Sequence, residues 1–221
     1  MTDRPAGFPS LRILYEDPHY LAVVKPAGVL VQKDRDTHWS LYDEVKLRFN
    51  GGFTGVLHRI DRPVCGIVLF AKTSKAAAAM TRLIRNHEPE KTYHAVLAGI
   101  LEEKKGKLVH WLEKKRQRSL VYRAERPGAK RSELDYEVLE ERGGKSLVRI
   151  MLGTGRYNQI RAQFAYIKRP VSGDLKYNGS PEHSDRIALV ASSLTFVHPF
   201  KNEPVELRLD NVMEILSEFW E

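Results

Sequence analysis

The residues from Leu57 to Thr73, LHRIDRPVCGIVLFAKT, place His58, Arg59, Asp61 and Arg62 directly before a run of apolar residues. Loops that end on rigid strands are where catalytic side chains tend to sit. The competing reading is a salt-bridged turn without chemistry. Two more polar clusters stand out. Lys91-Thr92-Tyr93 opens a predicted strand, and Gly155-Arg156-Tyr157-Asn158-Gln159-Ile160-Arg161 opens a predicted helix. In that helix Ile160, Phe164 and Ile167 form an apolar stripe, with Arg161 at its margin in line with Tyr157 and Ala165. An arginine beside a buried face calls for an anionic partner, because an unpaired buried charge is very costly. Asp61 is a natural candidate. That pairing would keep Asp61 ionised and aimed, as a nucleophile or base requires. A structural ion pair meets the same constraint without catalysis. Cys65 with His58 offers a rival, a thiol hydrolase pair. Cys65 lies against the apolar run, where a lone cysteine usually acts as a small hydrophobe.

The elements that must position these groups can be read from periodicity. RILYEDPHYLAVVKPAG is a strand, a turn at Asp17-Pro18, and a second strand. SLYDEVKLRF is a helix capped at Ser40, with a stripe through Leu41, Val45 and Phe49. GIVLFAK is a buried strand. SKAAAAMTRLIRNH is an Ala-rich helix capped at Ser74, with Met80, Leu83, Ile84 and His87 on one face. KTYHAVLAG is a strand. RSELDYEVLEERGGKSLVRIMLG is a hairpin turning at Gly143-Gly144. RYNQIRAQFAYI is a helix from about Tyr157. A second hairpin turns between Pro199 and Pro204, and NVMEILSEFW is a helix. Hairpins with interspersed helices predict an α+β fold with a mixed, mostly antiparallel central sheet and flanking helices. Residues 1–10 read as a loose tail and 11–221 as a single domain.

Composition bounds the partners. The chain has 221 residues, of which 42% are hydrophobic and 29% charged, ordinary globular material able to bury a core. A single cysteine excludes internal disulfides and thiolate-based zinc sites and suits a reducing cytoplasm. With no signal peptide and no apolar run of spanning length, the expectation is a cytoplasmic protein away from membranes. The formal charge is +8. Between Lys104 and Arg131 stand 11 Lys or Arg against two acids, so the excess is one patch and the remainder is near neutral. Such a patch points to a polyanion, nucleic acid above all, whereas a charge run elsewhere is often a solvated face.

At this point the motifs carry a resemblance. HRIDRPVCGIVLFAKT resembles the signature of the RluA family of RNA pseudouridine synthases, His-Arg-Leu-Asp, two variable residues, Thr-Ser-Gly and an apolar strand. ILYEDPHYLAVVKPAGVLV is similar to the family's opening hairpin with Lys-Pro-x-Gly. KTYHAVLAG resembles its Lys-x-Tyr-x-Ala strand. GRYNQIRAQFAYIKRPVSGDLKYNG resembles its Gly-Arg-x-His-Gln-Ile-Arg helix and the Gly-Asp-x-x-Tyr-Gly segment that follows. ALVASSLTFVHPF resembles its last hairpin. Five blocks in order are far more specific than one motif.

The resemblance implies a pseudouridine synthase catalytic domain that isomerises uridine within structured RNA, rRNA or tRNA. It implies that Asp61 is the catalytic aspartate, that Tyr93 packs on the uracil, and that Arg161 pairs with Asp61. Arg59 would enter the RNA beside a flipped nucleotide. His58, Arg62 and Arg156 are expected on RNA as well, and Lys114, Lys115, Arg116 and Arg118 on phosphates. No cofactor and no metal are expected, and the protein is expected to be a monomer. It is also expected to start directly at the catalytic domain, so that target choice rests on that domain and the basic segment. The chain departs from the pattern at Val64-Cys65, where the family has Thr-Ser, and at Asn158, where it has His. These departures keep open an alternative, a non-catalytic RNA-binding protein with the synthase fold.

Overall fold

Residue choice at the turns sets the first elements. In the computed structural model, residues 4–177 and 186–220 are described, and the end of the Gly-Asp-x-x-Tyr-Gly segment, Asn178-Gly179, lies outside them. β1 (Arg12–Glu16) and β2 (Tyr20–Lys25) pair antiparallel about Asp17. The carboxylate of Asp17 accepts the backbone N–H of His19 at 2.8 Å and of Tyr20 at 2.7 Å, so the side chain itself shapes the turn. Every residue of β2 is buried. α1 (Leu41–Arg48) starts at Ser40, whose backbone N–H donates to Asp43 at 2.9 Å. β3 (Gly55–Val56) and β2 both pair antiparallel with β4 (Cys65–Ala71). α2 (Ser74–Arg85) begins at its expected cap, one residue earlier than expected. Thr73 is the cap, accepting from the Ala76 N–H at 3.1 Å, and Ser74 is the first helical residue. His87 is not on the buried face: it follows the helix with φ of 58° and is exposed.

The chain divides into two compact units, Met1–Pro89 with Leu194–Leu209, and Glu90–Ser193 with Asp210–Glu221. In the first, the segment expected to be a loose tail is tied down: Arg4 pairs with Glu44 at 2.5 Å, and Phe8 meets Trp39 edge to face. β10 (Leu189–Val197) and β11 (Pro204–Arg208) form the expected hairpin.

The second unit is built on β5 (Glu90–Ala98), β6 (Lys105–Lys115), β7 (Arg118–Tyr122), β8 (Lys130–Arg142) and β9 (Lys145–Leu152). Their spatial order is β5-β9-β8-β6-β7, and every one of these ladders is antiparallel. Gly143 and Gly144 both have positive φ, 59° and 75°, as a two-residue hairpin turn that follows the strand twist requires. α3 (Gln159–Tyr166) packs Ala162 and Ala165 against Leu112 of β6 and Val121 of β7, with Tyr177 completing the cluster. α4 (Val212–Trp220) buries Leu216, Phe219 and Trp220. The fold class is α+β, a mixed, mostly antiparallel sheet with flanking helices, as expected. No helix among the described residues is long and apolar enough to cross a membrane.

α3 starts two residues later than expected because Asn158 has φ of 50° and cannot be helical. Asparagine tolerates that left-handed conformation better than most residues. The basic segment, which had no assigned structure, is the β6–β7 hairpin and the entry to β8, with Arg116 at its tip in a left-handed conformation of φ 52°.

Candidate active site

The loop before β4 is braced from three directions. The backbone N–H of Leu69, on β4, donates to His58 Nε2 at 3.1 Å. His58 therefore pins the loop to the strand, a bracing role that its expected place on RNA did not include. Val64 N–H donates to the Asp61 carbonyl at 3.1 Å and closes a tight turn around the aspartate. Gly28 N–H donates to the Arg62 carbonyl at 2.9 Å, and Arg62 Nε returns a bond to the Gly28 carbonyl at 2.9 Å. Beneath them Lys25 is fully buried. Its Nζ reaches the carbonyls of Pro26 at 2.8 Å, Val29 at 2.7 Å and Arg62 at 3.0 Å. Three acceptors match the three protons of an ammonium. Burial nonetheless pushes Lys25 down to about 7, against the pull of Cys65 and Asp61. The Lys-Pro-Ala-Gly segment is thus the base on which the Asp61 loop rests. Asp61 is half-buried, while Arg59 and Arg62 are exposed.

The two departures in this loop fit their places. Val64 is buried, so the apolar isostere of threonine leaves no hydroxyl to satisfy. Burial pushes the Cys65 thiol up, away from the thiolate that a nucleophile needs. With His58 Nε2 engaged by Leu69, a thiol hydrolase has no support here. Cys65→Ser is accordingly expected to keep most of the activity, with a destabilisation of about 1 kcal/mol, read from product formation and a thermal melt on the same preparation. A folded but inactive Cys65→Ser protein would overturn this assignment.

The remaining site residues belong to the second unit. Tyr93 lies on β5 opposite Ile150 and is buried. Two residues before it, burial pushes Lys91 down. His94, next to Tyr93, meets Ser192 Oγ at 2.8 Å. The turn into α3 is organised by Gln159. Its Oε1 accepts from Thr154 Oγ1 at 2.7 Å and from Arg156 N–H at 3.0 Å, and its Nε2 donates to the Glu133 carbonyl at 3.0 Å. Arg156 in turn donates to the Arg131 carbonyl at 3.3 Å. Arg161 is buried, and Asp174 clasps it with two bonds, Nε to Oδ2 at 2.6 Å and a terminal nitrogen to Oδ1 at 2.8 Å. The ring of Tyr177 stands 5.3 Å from the guanidinium. The sequence reading gave no role to Gln159 or to Asp174. For Gln159 the signal was a run of polar residues on a short helix, Gln159, Arg161 and Gln163, all of them buried, which a purely structural helix would fill with apolar residues.

Much of the basic segment is internally neutralised. Lys104, just before β6, pairs with Glu141, and across the β6–β8 ladder Lys105 pairs with Glu137 at 2.9 Å and Lys107 with Glu133 at 3.2 Å. Arg131 adds a second cation to Glu133 at 2.9 Å. The four residues expected on phosphates, Lys114, Lys115, Arg116 and Arg118, are all exposed at the β6–β7 turn. Lys115 sits 3.6 Å from Glu113, and Arg118 is fixed by a bond to the Lys176 carbonyl.

Among the described residues, Asp17, His19 and His198 bring metal-type donors within range of one another. Two of the three, Asp17 and His198, are already bonded to each other. His198 Nδ1 accepts the backbone N–H of Phe200 and of Lys201, both at 3.1 Å, so its proton sits on Nε2 and is donated to Asp17 at 2.8 Å. Lys201 adds its ammonium 3.1 Å from the same carboxylate. Burial would raise Asp17, but the N–H donors of Tyr20 and His19, with Lys201 and Tyr15, hold it well below the usual carboxylate range. The cluster fastens the β1–β2 turn to the β10–β11 turn.

The sequence pattern of the RNA pseudouridylate synthase family matches residues 19–166, which takes in parts of both units. The tRNA pseudouridine synthase C of Vibrio cholerae is 32% identical, over 95% of this chain and 96% of its own length. The dual-specificity RNA pseudouridine synthase RluA of Haemophilus influenzae is 32% identical, over 88% of this chain and 90% of its own. The chain belongs to the RluA family of RNA pseudouridine synthases. Like the family, this synthase is an isomerase that converts uridine in RNA to pseudouridine. The fold agrees with solved relatives: human RNA pseudouridylate synthase domain containing 1 superposes with a TM-score of 0.78 at 24% identity, covering 97% of this synthase and 89% of that chain.

Proposed function

We propose that the substrate is tRNA, that Asp61 is the catalytic carboxylate, and that Tyr93 and Arg161 complete the catalytic set. The observation that carries the choice of RNA is two-way coverage. A relative that aligns with this chain over nearly the whole of both lengths is named a tRNA pseudouridine synthase.

The reaction rearranges bonds without adding or removing atoms. The bond from N1 of uracil to the sugar breaks, the base turns, C5 bonds to the same sugar carbon, the C5 proton leaves, and N1 gains a proton. No electrons are exchanged with an external group. The carboxylate can attack the sugar, take a sugar proton, or add to the uracil ring, and each role requires an ionised group held rigidly. The loop braced by His58, Lys25 and Gly28 supports that reading for Asp61. A base inside a helix is out of reach of such a loop, so the uridine is flipped out, at a cost of a few kcal/mol recovered by stacking and phosphate contacts. Tyr93 is assigned the stacking role. Arg59 and Arg62, exposed on either side of Asp61, are assigned to the RNA around the flipped nucleotide.

The test is release of tritium from C5-labelled uridine in separate tRNA and rRNA pools, taken from cells that lack the protein. Release from tRNA is the expected result. Release from rRNA alone would overturn the choice of substrate.

A further inference from the structure

We propose that Tyr157, Lys114 and Lys176 form a docking subsite for an unpaired nucleotide of the RNA substrate, separate from the catalytic set. The proposal rests on the reading of RNA as substrate and adds a place where the strand beyond the target is held.

Tyr157 is an anomaly at the start of α3. The residues that follow it, Asn158 to Phe164, are all buried, whereas Tyr157 is 38% exposed. Its position is nonetheless fixed. Its carbonyl accepts from Ser119 Oγ, and its hydroxyl donates to the Gln117 carbonyl at 3.2 Å. The ring is therefore a rigid platform rather than a swinging side chain. Two ammonium groups stand over it, Lys114 Nζ at 4.6 Å and Lys176 Nζ at 5.4 Å from the centroid. Lys114 comes from β6, and Lys176 from the short 3-10 turn Leu175–Tyr177. The backbone bearing Lys176 is held in turn. Arg118 donates to the Lys176 carbonyl and lies 5.1 Å from the ring of Tyr177, whose hydroxyl accepts from Ser119 N–H at 2.7 Å.

An exposed aromatic face bounded by two cations matches one ligand chemistry closely, a flat base with a phosphate on either side. Base-on-aromatic stacking is stronger than an exposed cation–π contact, so a nucleotide displaces the ammonium groups from the ring. They then meet phosphates, their stronger partners. A platform of this kind accepts any base, because every base has a π-face. The subsite thus adds affinity for a single-stranded stretch without reading its sequence, and a single-stranded stretch is what an enzyme that extrudes a uridine requires nearby.

The test uses the full chain and unfractionated tRNA, with affinity followed from low to moderate salt and KM and kcat measured by tritium release. Tyr157→Leu is expected to raise Kd and KM about ten- to hundred-fold, with kcat at saturating RNA unchanged. Tyr157→Phe keeps the ring and is expected to stay within about threefold of the parent. The pair Lys114→Gln with Lys176→Gln is expected to shallow the log–log salt slope by about 1.4, as two lost single-strand phosphate contacts require. Tyr157→Leu leaves that slope alone. Tyr157→Leu within twofold of the parent in both Kd and KM, or a loss confined to kcat, overturns the proposal. If Tyr157→Leu does not fold, the lysine pair decides, and an unchanged slope overturns it. Affinity and slope need no turnover, so a parent protein that binds tRNA but releases no tritium from it counts against the proposed substrate and leaves the subsite standing or falling on its own.

Discussion

Asp61→Asn is expected to fold, to bind RNA at least as tightly as the parent, and to form no detectable pseudouridine. The substitution keeps the size and shape of the side chain and removes its charge. The braces that hold the loop are the carbonyls of Asp61 and Arg62, the Lys25 ammonium and the His58 ring, and none of those bonds uses the Asp61 carboxylate. Loss of a catalytic carboxylate of this kind costs at least roughly 10⁴-fold in rate. Binding is held or improved because a negative charge has gone from the neighbourhood of phosphates. The checks are tritium release and RNA affinity on one preparation, with a thermal melt to show folding. Release at the parent's rate would remove Asp61 from the catalytic set.

The second large effect is on stability. Asp174→Asn takes away the carboxylate that clasps the buried guanidinium of Arg161 with two bonds. The side chains of the pair are only 6% and 1% exposed, so water cannot replace the lost charge. Breaking such a pair from one side costs about 3–5 kcal/mol. For a chain of this size that lowers the thermal midpoint by roughly 6–20 °C. The double variant Arg161→Met with Asp174→Leu removes both charges and is expected to recover most of that loss, since an apolar pair of similar volume is often no worse than a buried ion pair. It is not expected to recover catalysis, because Arg161 belongs to the proposed set. Stability without activity in the double variant would separate the two roles, whereas full activity would make Arg161 purely structural.

The elements around the candidate site were legible where one face had to be buried. The run ahead of Thr73 announced β4 because an apolar string bounded by glycine has few alternatives. Gly143-Gly144 announced its hairpin because only glycine adopts both turn conformations easily. Boundaries failed where a side chain competed with the expected cap. Thr73 and Ser74 are chemically equivalent as caps, and only the bond to Ala76 distinguishes them. α3 looked longer because Tyr157 falls in line with Arg161 and Ala165 at helical spacing, while Asn158 takes a left-handed conformation. The β6–β7 hairpin stayed hidden because its lysines and arginines drowned the alternation of Leu108, His110 and Leu112. Asp174 was not read as a partner of Arg161 because it lies 13 residues beyond it, past the helix end, at a separation that no helical spacing marks.

The uneven pairing along the basic hairpin has a kinetic side. Near the start of β6 the lysines face Glu133, Glu137 and Glu141, and the field there cancels at short range. Exposed pairs of this sort add little to stability. Their effect is to leave the positive pole at one end, around Lys114, Arg116 and Arg118. A charge separation of that form exerts a torque as well as a pull, turning an approaching polyanion toward the tip before contact. Added salt shortens the reach of that torque to about 8–10 Å near physiological strength. The cost of salt then falls on the rate of productive encounter, while turnover of RNA already seated proceeds at its own pace.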